Sequence, residues 1–511
     1  MMDDGSIGNR PNVLLILTDQ QRWDSLGCYG ADWVDTPALD RLAAAGARFD
    51  RCYCTNPICT PSRASLWTGR HLPGHGVYRL DSIFPDDQVL FSRTLRDAGY
   101  HTGLFGKLHV SGRMYEEARR HPDDGFDEYE WCLESVISMD SPLQAYSAWL
   151  RERNSQLHDR MRSEGRRVVH VPREFHMTHW AADQSIDFIR RCTTGARGGA
   201  EPFFCCMSVF DPHNPYDDYP IEYAERVDAA GLPSLIDDRR TNVPHGVERE
   251  RSGSYLGDID QISPADIERM RVGYYASIAL IDDEVGRVLD ALEETGRADN
   301  TLVIFASDHG DMLGDHRLLV KGAVFYDACV RVPFIMRWPG RIPAGTVVDA
   351  PVQLHDIAAT VTTAAQCPPA YREEERKLCG HDLLPLVHGE RDEVRDDTVC
   401  LYRNTGINRL TRDWSPPLDA SMLIHGDHKL TFYHGDQRGR PRGELYDMIQ
   451  DPNELTNLWE RPSHREVRET LCGRLMDWLV ATETAYLGSR GGIATVPPDK
   501  YVSNTIDTGR S

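Results

Sequence analysis

Short, nearly continuous apolar runs alternate along the chain with longer stretches whose apolar positions return at helical spacing. The runs Val13 to Leu17, Thr102 to Phe105, Phe203 to Phe210, Leu302 to Ala306 and Pro333 to Met336 are predicted to be buried strands. A strand with one wet face would alternate apolar with polar, and these do not. Helices are predicted over Thr36 to Ala45, Ala181 to Arg191 and Ile267 to Thr295, the last stopping before Gly296 as a helix C-cap should. The alternation predicts an α/β fold, in which helices sandwich a large mixed, mostly parallel sheet.

The pattern changes between about Gln366 and Asp397, where charged and Pro-bearing segments (CPPAYREEERKLCG, HGERDEVRDD) read as a surface excursion and a boundary. A catalytic domain over 1–395 is therefore expected, followed by a smaller C-terminal α+β domain over 396–511. The second part shows short strand-like pieces, a late helix near Glu466 to Glu483 and a Gly- and Pro-bearing tail from Gly488 to Ser511. That tail reads either as an arm docking on a neighbouring subunit of a homo-oligomer or as unordered chain. No repeat at solenoid or propeller spacing is present.

Composition narrows the partners. With 57 Lys and Arg against 79 Asp and Glu, the net charge is −22, which argues against nucleic acid or an anionic membrane surface. The basic segment Arg438 to Gly443 lies between the strand-like HKLTFY and ELYDM and reads as a hairpin turn. No apolar run approaches the roughly 18 residues that span a bilayer, and the start MMDDGSIGNRPN lacks the basic and apolar regions of a signal peptide. A cytoplasmic location is expected. The 13 cysteines are an odd count without a pairing pattern and are read as reduced thiols. A zinc knuckle from Cys52, Cys54 and Cys59 lacks the second ligand pair a tetrahedral site needs.

Chemistry-bearing residues follow directly on the strand candidates. Asp19 follows NVLLILT, Lys107 and His109 follow TGLFG, Asp211 and His213 follow FFCCMSVF, and Asp308 and His309 follow TLVIFAS. In an open α/β sheet ligand sites form at the carboxyl ends of strands, so groups far apart in sequence can converge there. Asp19, Asp308 and His309 are a donor set for a divalent cation such as Ca²⁺, Mn²⁺ or Mg²⁺, with zinc not excluded; Gly310 and Asp311 beside them favour a tight polar turn. In Cys59-Thr60-Pro61-Ser62-Arg63 through Gly69-Arg70, Pro61 fits the first turn of a helix and Gly69 its end. Cys59 would then lie at the positive helix N-terminus, where an anion is favoured.

Cys-x-Pro-Ser-Arg followed by Leu-x-Thr-Gly-Arg resembles the signature by which a formylglycine-generating enzyme recognises sulfatases of the alkaline-phosphatase superfamily. PNVLLILTDQQ, GYHTGLFGKLHV, SDHGDMLGDH, Lys321, RVPFIMRWPG and ELYDMIQDPNELTNL are similar to further landmarks of that family. The resemblance implies that Cys59 becomes formylglycine and holds one divalent cation, most simply Ca²⁺ with Mn²⁺ an alternative, together with Asp19, Asp308 and His309. It implies that Arg63 holds the hydrated aldehyde, while Lys107, His109, His213 and Lys321 bind the sulfate and handle the leaving group. The expected reaction is hydrolysis of a small-molecule or saccharide sulfate ester.

Two positions depart from the commonest sulfatase pattern. Asp19-Gln20 stands where many members have Asp-Asp, and Asp308-His309 where many have Asp-Asn. Both look like the choline-sulfatase and phosphonate-monoester-hydrolase branches, so Gln20 is not counted as a ligand. Phosphonate monoester or phosphodiester hydrolysis is the alternative activity; Lys107 and His109 tip the expectation to sulfate. For the alcohol half of the substrate, Tyr216, Asp217, Asp218 and Arg403-Asn404-Thr405-Gly406 are candidate pocket residues.

Overall fold

The first apolar run is strand β1, Asn12–Thr18, with every residue buried. Val13, Leu15 and Leu17 pack with Leu66, Trp67 and Val361 on one face, and Leu14 and Ile16 with Trp180, Ile278 and Leu280 on the other. Side chains alternate across a strand. With both faces covered there is no wet position for a polar residue to mark, and the run is apolar throughout. The computed structural model describes residues 10–194, 201–367, 379–404, 414–435, 437 and 439–487.

The next strands in the chain are β2 (Ala47–Phe49), β3 (Cys52–Tyr53), β4 (His101–Gly106), β5 (Glu128–Trp131) and β6 (Phe203–Ser208). They are followed by β7 (Thr301–Ser307), β8 (Arg331–Val332), β9 (Phe334–Arg337), β10 (Thr346–Val348) and β11 (Val352–Gln353). Eight of these form one sheet in the order β10-β2-β9-β7-β1-β6-β4-β5. Only β9 runs against its neighbours, β2 and β7; the other pairings are parallel. β11, β3 and β8 make a small second sheet. Helices Met177–Thr194 and Pro264–Glu294 pack on each other over one face of the large sheet, while Cys59–Thr68, Phe91–Asp97 and Asp356–Ala364 cover the other.

The expected strands and helices appear with shifted ends. The run Phe203 to Phe210 leaves the sheet after Ser208: Val209 N still donates to Leu17 O at 2.9 Å, and the chain then turns at Asp211 and Pro212, a residue with no amide hydrogen to continue the ladder. The helix expected over Ala181 to Arg191 begins earlier, at Met177. The long one, Pro264–Glu294, starts on a Ser263 side chain that accepts from Asp266 N.

A third sheet is antiparallel and runs in sequence order: β12 (Asp397–Arg403), β13 (Asp419–His425), β14 (His428–Tyr433) and β15 (Gly443–Asp447). Helix Arg465–Leu487 packs on β13 and β14. The basic segment expected to be a hairpin turn does join β14 to β15, although Arg438 itself lies outside the described residues, as do Thr405, Gly406 and the tail from Gly488. β12 docks beside the loop that enters helix Cys59–Thr68: Leu401 N donates to Thr55 O at 2.9 Å and Asn56 Nδ2 to Leu401 O at 2.5 Å.

Candidate active site

β7, β1, β6 and β4 are consecutive, mutually parallel strands. Their carboxyl ends therefore open side by side, at the interstrand spacing of about 4.8 Å. The ladder closes with Asp308 N to Thr18 O (3.3 Å), Lys107 N to Ser208 O (2.8 Å) and Asp19 N to Asp211 O (3.2 Å). The chemistry-bearing side chains start at its last rungs. Gly106 is required there: its φ is +113°, and a Cβ would lie 1.9 Å from Ser208 O.

Cys59 opens helix Cys59–Thr68, which closes on Gly69 at φ 64°. Its Sγ is 3.2 Å from His309 Nε2, 2.8 Å from Lys321 Nζ and 3.7 Å from Asp19 Oδ1. Donor atoms of Asp19, Cys59, Asp308 and His309 all lie within 4.8 Å of one another, and all four residues are buried. Neither Cys52 nor Cys54 belongs to this group, so the knuckle is not formed. His309 fits a metal ligand's role. Gly310 O lies 2.9 Å from His309 Nδ1, and a carbonyl can only accept, so Nδ1 carries the proton and Nε2 keeps its lone pair toward the group.

Arg63 has no exposed surface and braces the carboxylates from below. Its Nε donates to Asp308 Oδ2 at 2.6 Å and its Nη2 to Asp19 Oδ2 at 3.1 Å, with Nη1 on Lys107 O and Ser208 Oγ. The resemblance implied that Arg63 holds the hydrated aldehyde; its described hydrogen bonds go to the carboxylates, Ser208 and the backbone, and the cation against Sγ is Lys321. Lys107 Nζ sits 2.6 Å from Asp19 Oδ2. Burial opposes ionisation of Asp19, but Lys107, Lys321 and Arg63 outweigh it and hold the carboxyl well below its ordinary range. For the Cys59 thiol, burial and Asp19 push upward, yet the Lys107 and Lys321 ammonium groups win and favour the anion at this position.

Two further histidines complete the wall. Burial, reinforced by Lys321, pushes the His213 imidazole far toward neutrality. Its Nδ1 bonds Asn214 O at 2.7 Å, so Nε2 is the bare nitrogen, 3.0 Å from the Lys321 ammonium. His109 is likewise held neutral by burial and Lys107; its Nε2 is 3.2 Å from Thr60 Oγ1. The loop that presents His109 at φ 57° is organised by Glu116, a residue no motif announced. The Glu116 carboxylate accepts from His109 N, Val110 N, Ser111 N and Trp131 Nε1. In the sequence it sits in RMYEEARR, a charged run that carries no motif.

Gln20 does not join the donor group. Its Nε2 donates to Asp311 Oδ2 at 2.6 Å, its N to Asp308 Oδ1 at 3.1 Å, and its Oε1 is buried without a partner among the described residues. A cavity of about 790 Å³ opens over Cys59, Lys107, His109, His213 and Lys321. Of the expected pocket residues, those that are described, Tyr216, Asp217, Asp218, Arg403 and Asn404, are not part of it. Tyr216 is buried and donates to Asp311 Oδ2, Asp217 faces Arg269, Asp218 is buried, and Arg403 bonds Ala420 O and Ser421. Leu80, Ile83, Met114, Tyr115, Ile137 and Tyr255 stand there instead; their segments carry no motif.

The sulfatase family model matches residues 11–367, and that of the N-sulphoglucosamine sulphohydrolase C-terminal region matches 314–480. The chain belongs to the sulfatase family. As such it is a sulfuric ester hydrolase of the alkaline-phosphatase superfamily. It is 30% identical to an arylsulfatase of Clostridium perfringens, over 93% of this chain and 96% of the relative. It is 28% identical to the multifunctional alkaline phosphatase superfamily protein PehA of Trinickia caryophylli, over 95% of this chain and 99% of that one. Among solved structures, the phosphonate monoester hydrolase of Agrobacterium radiobacter superposes with a TM-score of 0.74 at 25% identity, covering 93% of this chain and 96% of the other. The similarity extends over nearly the whole chain. Among the described residues, no helix of this sulfatase is long and apolar enough to cross a membrane.

Proposed function

We propose that this sulfatase hydrolyses a sulfate monoester to an alcohol and inorganic sulfate, with a formylglycine made from Cys59 as nucleophile. The observation that carries the reading is the convergence of Lys321, His309 and Asp19 on Cys59 Sγ at 2.8–3.7 Å at a helix N-terminus. The sulfur marks where the oxygens of the hydrated aldehyde would be carried once a formylglycine-generating enzyme has acted. The hydrate supplies an oxygen nucleophile and a second hydroxyl through which sulfate can be expelled. Asp19, Asp308 and His309 would hold a divalent cation beside it, which would acidify that nucleophile and screen the ester's charge. Hard carboxylate oxygens suit Ca²⁺, and the imidazole extends the fit to Mn²⁺.

The protein's own groups do the rest. Lys107 and Lys321 offer cationic donors to the sulfate oxygens, where transition-state charge grows. Arg63 keeps both carboxylates aimed and helps hold Asp19 ionised. An alkoxide leaves poorly unless protonated. The bare Nε2 of His213, fed by the Lys321 ammonium 3.0 Å away, is the proton route to the leaving oxygen, and neutral His109 is the acceptor for the step that expels sulfate. A reducing, cytoplasmic setting belongs to this reading, in keeping with an odd cysteine count that offers no pairing pattern.

Two measurements test this. Peptide mass spectrometry of protein co-expressed with a formylglycine-generating enzyme should find an aldehyde at residue 59; full activity with an intact thiol would sink the mechanism. Matched aryl esters should show sulfate hydrolysed with higher kcat/KM than phenylphosphonate. The similarity to a phosphonate monoester hydrolase makes the reverse order the serious competitor.

A further inference from the structure

The cavity over Cys59 has a sulfate-binding floor, but its upper walls have a different character. Leu80, Ile83, Met114, Leu133, Ile137 and Phe210 supply aliphatic and aromatic surface, joined by Tyr115 and Tyr255. Ile83 is 58% and Met114 71% exposed, two large apolar side chains left at the mouth of a catalytic cavity. Scattered exposed apolar residues need no explanation, but a pair flanking a pocket does.

These walls are built rather than accidental. Gly112 N donates to Ser82 O at 2.7 Å and Phe84 N to Ser111 Oγ at 2.9 Å, tying the segment that carries Ile83 to the one that carries Met114. Gly112 has to be glycine, since a Cβ would come 2.8 Å from Asp81 Cα. Thr60 Oγ1 donates to Leu80 O at 3.0 Å and fixes the same rim to the helix of Cys59. The charged residues of the upper walls already have partners: Arg166 grips Glu134 through two bonds of 2.6 and 2.5 Å, Asp81 faces Arg79 at 3.2 Å, and Arg113 faces Glu117 at 4.0 Å. A sugar brings a hydroxyl at nearly every carbon, and each would lose its water against Leu133, Ile137 and Phe210 without a replacement bond. An apolar ring would gain from the same surface.

We propose, resting on the sulfatase reading above, that the alcohol half of the substrate is an uncharged, bulky apolar group, and that Ile83 and Met114 are specificity-determining residues that close over it. A saccharide sulfate is the disfavoured class.

The test compares two sulfates of primary alcohols on a six-membered ring, cyclohexylmethyl sulfate and glucose 6-sulfate, so that leaving-group chemistry differs little and wall contacts differ greatly. The matured enzyme should show kcat/KM at least about tenfold higher for cyclohexylmethyl sulfate, the worth of roughly two buried methylenes. The double variant Ile83→Ser/Met114→Ser should lose most of that advantage, with the loss falling on KM for cyclohexylmethyl sulfate rather than on kcat. Binding of both esters to the unmatured Cys59 protein, by calorimetry, repeats the comparison without turnover. Equal or reversed preference in either arm overturns the apolar proposal and leaves the sulfatase reading standing. Turnover of phenylphosphonate with neither sulfate hydrolysed overturns that reading, while the calorimetric arm still decides the wall.

Discussion

Two buried charge clusters can be set side by side. In the seam between the large sheet and the four-stranded one, Lys429 is 1% exposed and its Nζ lies 2.7 Å from Asp327 Oδ1 and 2.9 Å from Glu454 Oε1. Glu454 also accepts from Asp327 N at 2.7 Å, and Arg331 reaches Asp327 Oδ2 at 3.3 Å while its guanidinium lies 3.7 Å from the Trp23 ring centroid. Two carboxylates meet two cations, and the remaining valences go to backbone and ring. Around Cys59 the ingredients are the same, but Lys321 leans on a sulfur and on two imidazole nitrogens that keep lone pairs, under an open cavity. Buried charge therefore does not mark the working site. What marks it is that donors and lone pairs converge on space where a ligand can enter.

The contrast can be broken most sharply at the nucleophile. Cys59→Ala should lower kcat by about 10⁴-fold or more, since the nucleophile is lost while binding groups remain, and should leave the thermal midpoint within about 2 °C because a small buried side chain is replaced by a smaller one. Asp308→Asn should weaken divalent-cation binding about 100-fold by deleting a charged oxygen donor, read by calorimetric titration of the metal. Normal turnover by protein shown metal-free through elemental analysis would dissolve the distinction.

Lys429→Met tests the opposite cluster. Removing the cation strands Asp327 and Glu454 in a dry seam, which should cost about 3–5 kcal/mol of stability and shift the urea midpoint accordingly. Activity per folded molecule should stay within about twofold. A variant that keeps full stability but loses catalysis would show that the seam works on the site rather than on the fold.

Sequence alone carried the floor of the site but not its walls. Asp19, Lys107, His213, Asp308 and His309 were legible because each follows a strand buried on both faces, whose apolar run is unmistakable, and adjacent parallel strands must open their ends together. Cys59, Arg63 and Lys321 were legible through motif resemblance. Glu116 was not: one carboxylate that collects three backbone amides and an indole leaves no periodic trace. The cavity walls were missed for a related reason. Ile83 and Ile137 come from irregular segments and Met114 from the one-turn helix Arg113–Glu116, placed by tertiary bonds such as Gly112 N to Ser82 O, and the residues expected there, Tyr216 and Arg403, were drawn inward by partners of their own.

A third buried carboxyl separates the two clusters in a subtler way. Glu250, in helix His245–Gly253, is 7% exposed and accepts from Ala323 N at 2.7 Å, two residues beyond Lys321. Unlike Asp19 and Asp327 it forms no ion pair among the described residues, so burial dominates and pushes its pKa from the ordinary 4.5 up to about 7, against the pull of the Ala323 amide and Arg249. Because the folded pKa lies above the unfolded one, the folded state holds this proton more tightly. The stabilisation is fully present below about pH 4.5 and is lost as pH rises to about 7, beyond which it is gone. Over a gap of that size the loss is roughly 3 kcal/mol. Glu250→Gln keeps an oxygen for Ala323 N and removes the titration. Urea unfolding at a series of pH values should therefore show the wild type losing stability relative to the variant between about pH 4.5 and 7, and no further divergence above. A difference that stays flat across that window would mean that Glu250 is ionised in the fold, with a counter-charge drawn to it, and would place it with Asp19 and Asp327 after all.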